Sequence, residues 1–432
     1  MRTRNVACVL AAGIVIGFGA RAQAQSKIPV RQIGKLERVS ADSSLASIAS
    51  AVALSGGRVM INDRVGHRVL LLDSTLANET VVADTNASSG ATYGRRPAGL
   101  VRFRGDSALL IDQVSLSLFV IGPTGEVARV MALPHAEDAL AISGTGAIDS
   151  RGRLVYFDGI NGAQGVLMLG VGDQVCGDAP PSSNNAGGGL GALRAWVGNA
   201  CSNRHVDSMP LIRIDLGTRT VDTLGMLAIP KLDRMLKTDA HRALISIETT
   251  YDPLPVVDAW AMTSDGTVAV LRTRDYHIDW LSADGKWIST PKMPFDWQKV
   301  DDARKTQLID STVARWQGQN DRIMNGGGRG ATGLAPLIAA RPDPATVSDY
   351  FPPINDRPGA VAADAENNVW IRTTTMVDAR PVYDVIDRRG EVIDRVQLPA
   401  FRTIAGFGPG VLYMAVQQQI GGKVRLERAR IK

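Results

Sequence analysis

The chain is poor in cysteine, in aromatic residues, in long apolar runs and in surplus charge of one sign. It holds 3 cysteines in 432 residues, and aromatic residues make up only 5%. The one extended apolar stretch, Val6 to Ala20, is shorter than the ~20 residues that span a bilayer and is diluted by Gly13, Gly17 and Gly19. A membrane-embedded chain is therefore not expected. Lysine and arginine form no stripe that could track a phosphate backbone, which argues against nucleic acid as a partner. No glycine-rich run is followed by Lys-Ser/Thr, there is no G-x-S-x-G elbow, and the 5 histidines fall at neither triad nor H-E-x-x-H spacing.

The first residues read as a secretory leader. Arg2 and Arg4 supply a positive start, Val6 to Ala20 an apolar centre, and Ala22-Gln23-Ala24 a small-x-small cleavage pattern, so residues 1–24 are expected to be removed before Gln25. Cys8 lies too early to carry a lipid. The leader holds Arg2, Arg4 and Arg21 and no acid, so losing it takes the formal charge from +5 to +2. The mature chain is expected to be exported, periplasmic or extracellular.

Cysteine usage agrees. Only Cys176 and Cys201 remain beyond the leader, and a lone pair in an oxidising compartment reads as a disulfide. Zinc would need four ligands, and only His205 lies nearby.

What the chain does have is a recurring phrase of four short strands. It first appears as IASAVALSGGRVMINDRVGHRVLLLDSTLANETVVA from Ile48. Aliphatic and β-branched residues fill the strands; Gly, Asp, Asn and Ser mark the turns. Further copies begin at Pro97, at Gly146 (finishing from Leu211), at Asp258 and at Arg357, and a shorter sixth ends the chain. The first three recur about 48 residues apart, close to the ~40 to 50 of a β-propeller blade. A β-sandwich has no reason to repeat one four-strand phrase. The expectation is an all-β chain: one β-propeller domain over residues 25–432, of six blades. The N-terminal stretch Pro29 to Val39 is placed to add a strand to an end blade and lock the ring.

Three excess segments read as insertions. Gly172 to Met209 is rich in Gly, Asn, Ser and Pro and carries the cysteine pair, so it reads as a disulfide-bearing loop. Lys231 to Pro255 reads as a short helical piece (Leu232, Met235, Leu236) followed by a strand, Ala243 to Glu248, which keeps a seven-bladed count open. In Pro294 to Asp356, before the fifth blade, Trp297, Val300, Leu308, Ile309, Val313 and Trp316 fall near one face of a helix, read as a cap or a lid. Gly328-x-Gly330-x-x-Gly333 follows. It matches a dinucleotide fingerprint by letter, but a helix precedes it where a strand is needed, so it reads as a loop.

The run GRVMIND-RVG-HRVLLLD, Gly57 to Asp73, resembles the NHL repeat, with Asp63, His67 and Arg68 at its characteristic places. Later copies keep the strand pattern and are read as losing the Asp and the His-Arg pair. The phrase from Asp258 to Trp280 (DAWA…DG…DY-x-x-DW) is similar to one in uncharacterised secreted six-bladed propellers of bacteria, a resemblance that implies a fold and no activity. NHL-like propellers include binding scaffolds, and related propellers include metal-dependent lactonases and lyases whose ligands have no match here.

Candidate chemistry concentrates in RTRDYHIDW, Arg272 to Trp280. Arg274, Asp275, Tyr276, His277 and Asp279 sit at a strand junction. Alternation sends Tyr276, Ile278 and Trp280 to one side and Asp275, His277 and Asp279 to the other. With Trp297 and Trp316 as aromatic cover, these groups would suit a sugar, a peptide or a small anion. The expected function is a binding or scaffold protein for a protein or small-molecule ligand, working through the channel mouth and insertions. No metal site and no cofactor is identified. The alternative is a hydrolase or lyase holding calcium or zinc at the channel.

Overall fold

The computed structural model describes residues 28–432 except 42–44, 87–91, 95–97, 134–141, 143–145, 159–203, 241–243, 283, 326–335, 357–358 and 417–423. The leader, the Cys176/Cys201 pair and the Gly328–Gly333 string lie outside the described residues. The described chain is nearly all-β: six sheets, four of them four-stranded and antiparallel, with one long α-helix. That arrangement is consistent with a β-propeller.

Sheet I contains Ser50–Ala53, Val59–Asp63, Arg68–Leu72 and Glu79–Asp84. Sheet II contains Gly99–Arg102, Ala108–Asp112, Ser117–Ile121 and Val127–Ala132. Sheet III runs through Ala147–Ile148, Leu154–Phe157, Arg204–Asp215, Thr220–Thr238 and Leu244–Tyr251 to a parallel strand, Leu337–Ala340. Sheet IV contains Ala259–Met262, Val268–Arg272, His277–Leu281 and Trp287–Ser289. Sheet V contains Val361–Ala363, Val369–Val377, Arg380–Ile386 and Val392–Gln397, with Val30–Gln32 added in parallel. Sheet VI contains Arg402–Gly408, Val411–Val416 and Arg425–Arg430, and takes its fourth strand, Leu36–Val39, from the N-terminal side. Arg31 fastens that stretch, gripping Asp394 and donating to the Ile431 carbonyl at 2.7 Å.

The second strand of each sheet opens on an apolar run because both of its faces are buried there, and alternation sends successive side chains to different neighbours. Val59 and Ile61 pack toward sheet VI, Met60 toward sheet II. Leu109 and Ile111 pack toward sheet III, Ala108 and Leu110 back toward sheet I. Leu154 and Tyr156 face sheet II while Val155 faces sheet IV. Val268 and Val270 face sheet III, Ala269 and Leu271 face sheet V. Val369 and Ile371 face sheet IV, and Trp370 faces sheet VI. Leu412 and Met414 return to sheet V, and Tyr413 and Ala415 to sheet I. Six apolar interfaces thus link six sheets in a cycle. Each fully buried Val, Leu or Ile contributes about 1.5 to 3 kcal/mol.

The same order recurs in the connections at one end, where each first strand turns into the second. Ser55 N–H and Oγ bind Asp106 across sheets I and II. Arg104 donates to the Arg151 carbonyl between II and III. Gly266 lies against Ser150 between III and IV; with φ +82 and a Cβ position 2.2 Å from Ser150 N, that place admits no side chain. Ser264 Oγ donates to Asn367 between IV and V, and Gly410 N–H to Glu366 between V and VI. Arg428 closes VI to I by donating to the Ser74 carbonyl at 3.1 Å.

Sheet III differs from expectation. Leu232, Met235 and Leu236 lie in strand Thr220–Thr238, not in a helix, because strands are available on both sides: Arg204–Val206 and Leu244–Tyr251 pair with that stretch. Local propensity yields to ladder bonds. Leu244–Tyr251 extends sheet III and founds no seventh sheet among the described residues. Residues 204–209 of the expected loop are strand as well.

The helix, α1 (Asp302–Asn325), starts after Trp297 and Val300, which therefore do not share its face. Asp301 caps it, its carboxylate accepting from Arg304 N–H at 2.7 Å. Buried Lys305, Ile309, Thr312 and Asn320 mark its inner stripe. Gln317 accepts from Ala339 N–H at 2.9 Å and donates to the Leu337 carbonyl at 3.3 Å, so its amide occupies the open edge of sheet III. The helix is a packed cap.

Candidate functional site

At the opposite end of the sheets lie the turns from second to third strand and the connections between sheets. In sheets I and II the turn follows one rule. The second strand ends in a buried aspartate, and the last turn residue takes positive φ: His67 at 52° and Leu116 at 55°. Asp63 accepts from Ala46, Ser47 and Gly66 N–H, and Asp112 from Gly94, Val114 and Ser115 N–H. Asp112 ends the second strand as Asp63 does, and Asp158 directly follows that of sheet III, so the second and third copies retain the Asp that the sequence reading assigned to the first alone.

Sheet IV keeps the turn, with Tyr276 at φ 48, and replaces the aspartate by Arg272. The acids come from elsewhere. Asp258, just before the first strand, accepts from Arg272 Nη1 at 2.7 Å and from Ala228 N–H of sheet III at 3.0 Å. Asp279 accepts from Arg272 Nε at 2.7 Å through Oδ2 and from Ser289 Oγ at 2.6 Å through Oδ1, and His277 Nε2 stands 3.3 Å from that same Oδ1. Burial pushes Asp279 up, but the Ser289 hydroxyl and the Arg272 guanidinium outweigh it and hold the carboxyl below its ordinary value. Arg272 is raised in turn, its two carboxylate partners overcoming its desolvation.

The expected alternation holds, and it separates the candidates. Tyr276, Ile278 and Trp280 are buried between sheets IV and V, where Tyr276 Oη donates to Asp384 at 3.2 Å. Burial raises Tyr276 well above the usual phenol value and Asp384 above the usual carboxylate value, with Arg395 pulling both back. His277 and Asp279 belong to the Arg272 clamp between sheets III and IV. Arg274 and Asp275 stand exposed on the turn, Asp275 paired with Lys292.

The two tryptophans part as well. Trp316, on α1, stacks on Tyr251 of sheet III at 4.3 Å. Trp297 is connected to the Arg274 turn by a file of rings: Tyr276 to Phe295 at 5.2 Å, Phe295 to Trp297 at 5.3 Å and Trp297 to Tyr350 at 6.4 Å. Met293 N–H donating to the Tyr276 carbonyl ties this segment to the turn. Trp297 and Tyr350 are held on two antiparallel segments, bonded from Val300 N–H to Asp349 and from Phe351 N–H to Gln298. Val300 is buried beneath them against Ile309, while Trp297 is 38% and Tyr350 43% exposed. The result is a fixed aromatic surface, linked through Phe295 and Tyr276 to the turn that carries Arg274 and Asp275.

Sequence reasoning missed Arg272, Asp258, Ser289 and Tyr350. The DAWA and DW of the sheet IV phrase carried the signal for the first two, since their acids grip Arg272; Ser289 and Tyr350 had none. Among the described residues, no three His, Cys, Asp or Glu side chains are grouped to hold a metal ion, and no helix is long and apolar enough to cross a membrane.

Neither the protein-family models nor the curated proteins contain a match to this sequence. Several solved structures resemble the chain at low identity. Virginiamycin B lyase from Staphylococcus aureus aligns over 92% of this chain and 99% of its own, at 8% identity and TM-score 0.40. A gluconolactonase from Xanthomonas campestris aligns over 93% and 98%, at 9% and 0.39. The PQQ-bound aldose sugar dehydrogenase of Streptomyces coelicolor aligns over 94% and 100%, at 10% and 0.41. Similarity of this degree implies no shared activity.

Proposed function

We propose that the chain is an exported six-bladed β-propeller that acts as a binding protein, taking its ligand at the end that carries the insertions. Six sheets linked by six apolar interfaces support the blade count. The observation that carries the binding reading is the fixed, exposed pair Trp297 and Tyr350, linked through Phe295 and Tyr276 to the turn that carries Arg274 and the Asp275–Lys292 pair. Aromatic faces with both signs of charge at their margin suit a sugar or a peptide segment, which offers apolar faces and hydrogen-bonding edges together. Arg272, His277 and Asp279 position the turn; Arg274, Asp275, Trp297 and Tyr350 make the contact.

The test is recovery of a partner or ligand from the periplasmic or secreted fraction by the mature protein and by the Trp297→Ala/Tyr350→Ala double variant. The expected result is a specific partner recovered by the first and lost by the second. Equal recovery by both would overturn the assignment. Stoichiometric metal in the purified protein together with turnover of a small substrate would favour a metal-dependent hydrolase or lyase instead.

A further inference from the structure

A second place on the molecule is shaped to hold a ligand, at the opposite end from the aromatic surface. It is a cavity of about 280 Å³ where the first-to-second turns of sheets I, II and VI meet, lined by Ala53, Leu54, Ser55, Arg102, Asp106 and Pro409. It lies at the seam where the first sheet in the chain meets the last. Its wall is apolar on the Ala53, Leu54 and Pro409 sides, and its charged groups are Asp106 and Arg102.

The two charges are not equally available. Asp106 is engaged through both oxygens: Oδ1 accepts from Ser55 N–H at 2.6 Å, and Oδ2 accepts from Ser55 Oγ and from Arg58 Nη2 at 3.5 Å. Desolvation would raise its carboxyl, yet the Ser55 bonds and the Arg58 and Arg102 charges hold it below the ordinary value, so it stays ionised and shared between two guanidinium groups. Arg102 spends Nη1 on the Ala53 carbonyl at 3.1 Å. Its Nε and Nη2 donors are left for the cavity, whose lining otherwise carries only Asp106 as a charged group, already held by Ser55 and Arg58. A guanidinium edge with two donors in line is the geometry that a carboxylate or phosphate meets with paired bonds.

We infer that this seam cavity binds a small oxyanion, a carboxylate or phosphate compound on the order of ten non-hydrogen atoms, with its charge on Arg102 and its body against Leu54 and Pro409. Ten such atoms fit because the space equals about nine water volumes. The occupant bridges sheets I, II and VI, so its binding stabilises the closed ring.

Thermal unfolding with citrate and with inorganic phosphate, each against sodium chloride of equal ionic strength, tests this. The expected result is a rise in Tm of about 2 °C with one or both anions. Citrate alone would mark the ligand as a carboxylate, and phosphate alone as a phosphate compound. The rise is lost in Arg102→Gln and retained in part in Arg102→Lys, which keeps the charge without the fork. No rise beyond the chloride control would overturn the inference, as would an equal rise in Arg102→Gln. Isothermal titration of citrate or phosphate into wild type gives one site per chain, a readout that holds even if the variants lose stability. The cavity lies at the end away from Trp297 and Tyr350, so its failure leaves the proposed binding surface untouched.

Discussion

The two ends of this molecule are built on different terms. At the turn end, first and second strands are joined by short connections, and neighbouring sheets are stitched from Ser55 to Asp106, Arg104 to Arg151, Ser264 to Asn367 and Glu366 to Gly410. At the insertion end, the chain leaves the repeat for the long strands of sheet III, for α1, and for the segments carrying Trp297 and Tyr350. One end fixes how the sheets sit; the other is free to differ from sheet to sheet. Propellers host unrelated functions on one scaffold, and here the division of labour between ends is drawn in hydrogen bonds.

Substitutions can break that contrast. The largest effect is expected at the turn end. Gly266→Ala forces a side chain against Ser150 N at positive φ and should cost about 3 kcal/mol or more in urea unfolding. Gly105→Ala, with φ +62 and open space around its Cβ, should cost only about 1 kcal/mol. Equal costs at the two glycines would mean the turn end is not packed as described. Next comes the clamp at the insertion end. Arg272→Met leaves Asp258 and Asp279 facing each other without their counter-charge, an expected loss of about 3 kcal/mol. The loss should be smaller in Arg272→Met/Asp279→Asn, because the second change removes the stranded charge.

The aromatic surface should behave in the opposite way. Trp297→Ala/Tyr350→Ala is expected to stay within about 1 kcal/mol of wild type, since both side chains are partly exposed, while ligand recovery falls. A large loss of stability would make these rings structural and remove the contrast.

Acid sharpens the comparison further. Asp279 at the insertion end and Asp265 at the turn end both titrate below their ordinary value, burial opposing and hydroxyl and arginine partners prevailing. A carboxyl lowered in the folded state stabilises above the unfolded value of about 3.9, and that contribution is lost as pH falls through the folded value. Stability should therefore decline below about pH 4. The decline should be shallower in Arg272→Met, in which Asp279 loses the partner that lowers it. An unchanged acid slope in that variant would show that the clamp does not govern Asp279.

How much of this was legible follows from the same physics. The strands of sheets I, II, IV, V and VI could be read because a strand buried on both faces spells an apolar run, and its turns spell Gly, Asp, Asn and Ser. The contribution of Leu36–Val39 to an end sheet was legible too, because the stretch Pro29 to Val39 belonged to no copy. Sheet III was not. Its strands outrun the repeat, and Leu232, Met235 and Leu236 match helical spacing as well as strand spacing until partners are known. Around Arg274, alternation predicted which side each residue faces, and did so correctly for Tyr276 and Asp279, but a strand's two sides look alike in sequence. Whether a side meets solvent, a neighbouring sheet or an arginine depends on residues far along the chain, as Tyr276 with Asp384 and Asp258 with Ala228 illustrate.

The proposed six-bladed ring requires that the N-terminal strand complete the last sheet. Native-state hydrogen exchange at Leu36–Val39 tests this most directly, because the amides of those residues are protected only if the strand is paired with Arg425–Arg430. The amides of this strand that bond to Arg425–Arg430 should exchange as slowly as those of Val411–Val416. Exchange at the rate of an unstructured peptide, with Val411–Val416 still protected, would contradict the proposed ring.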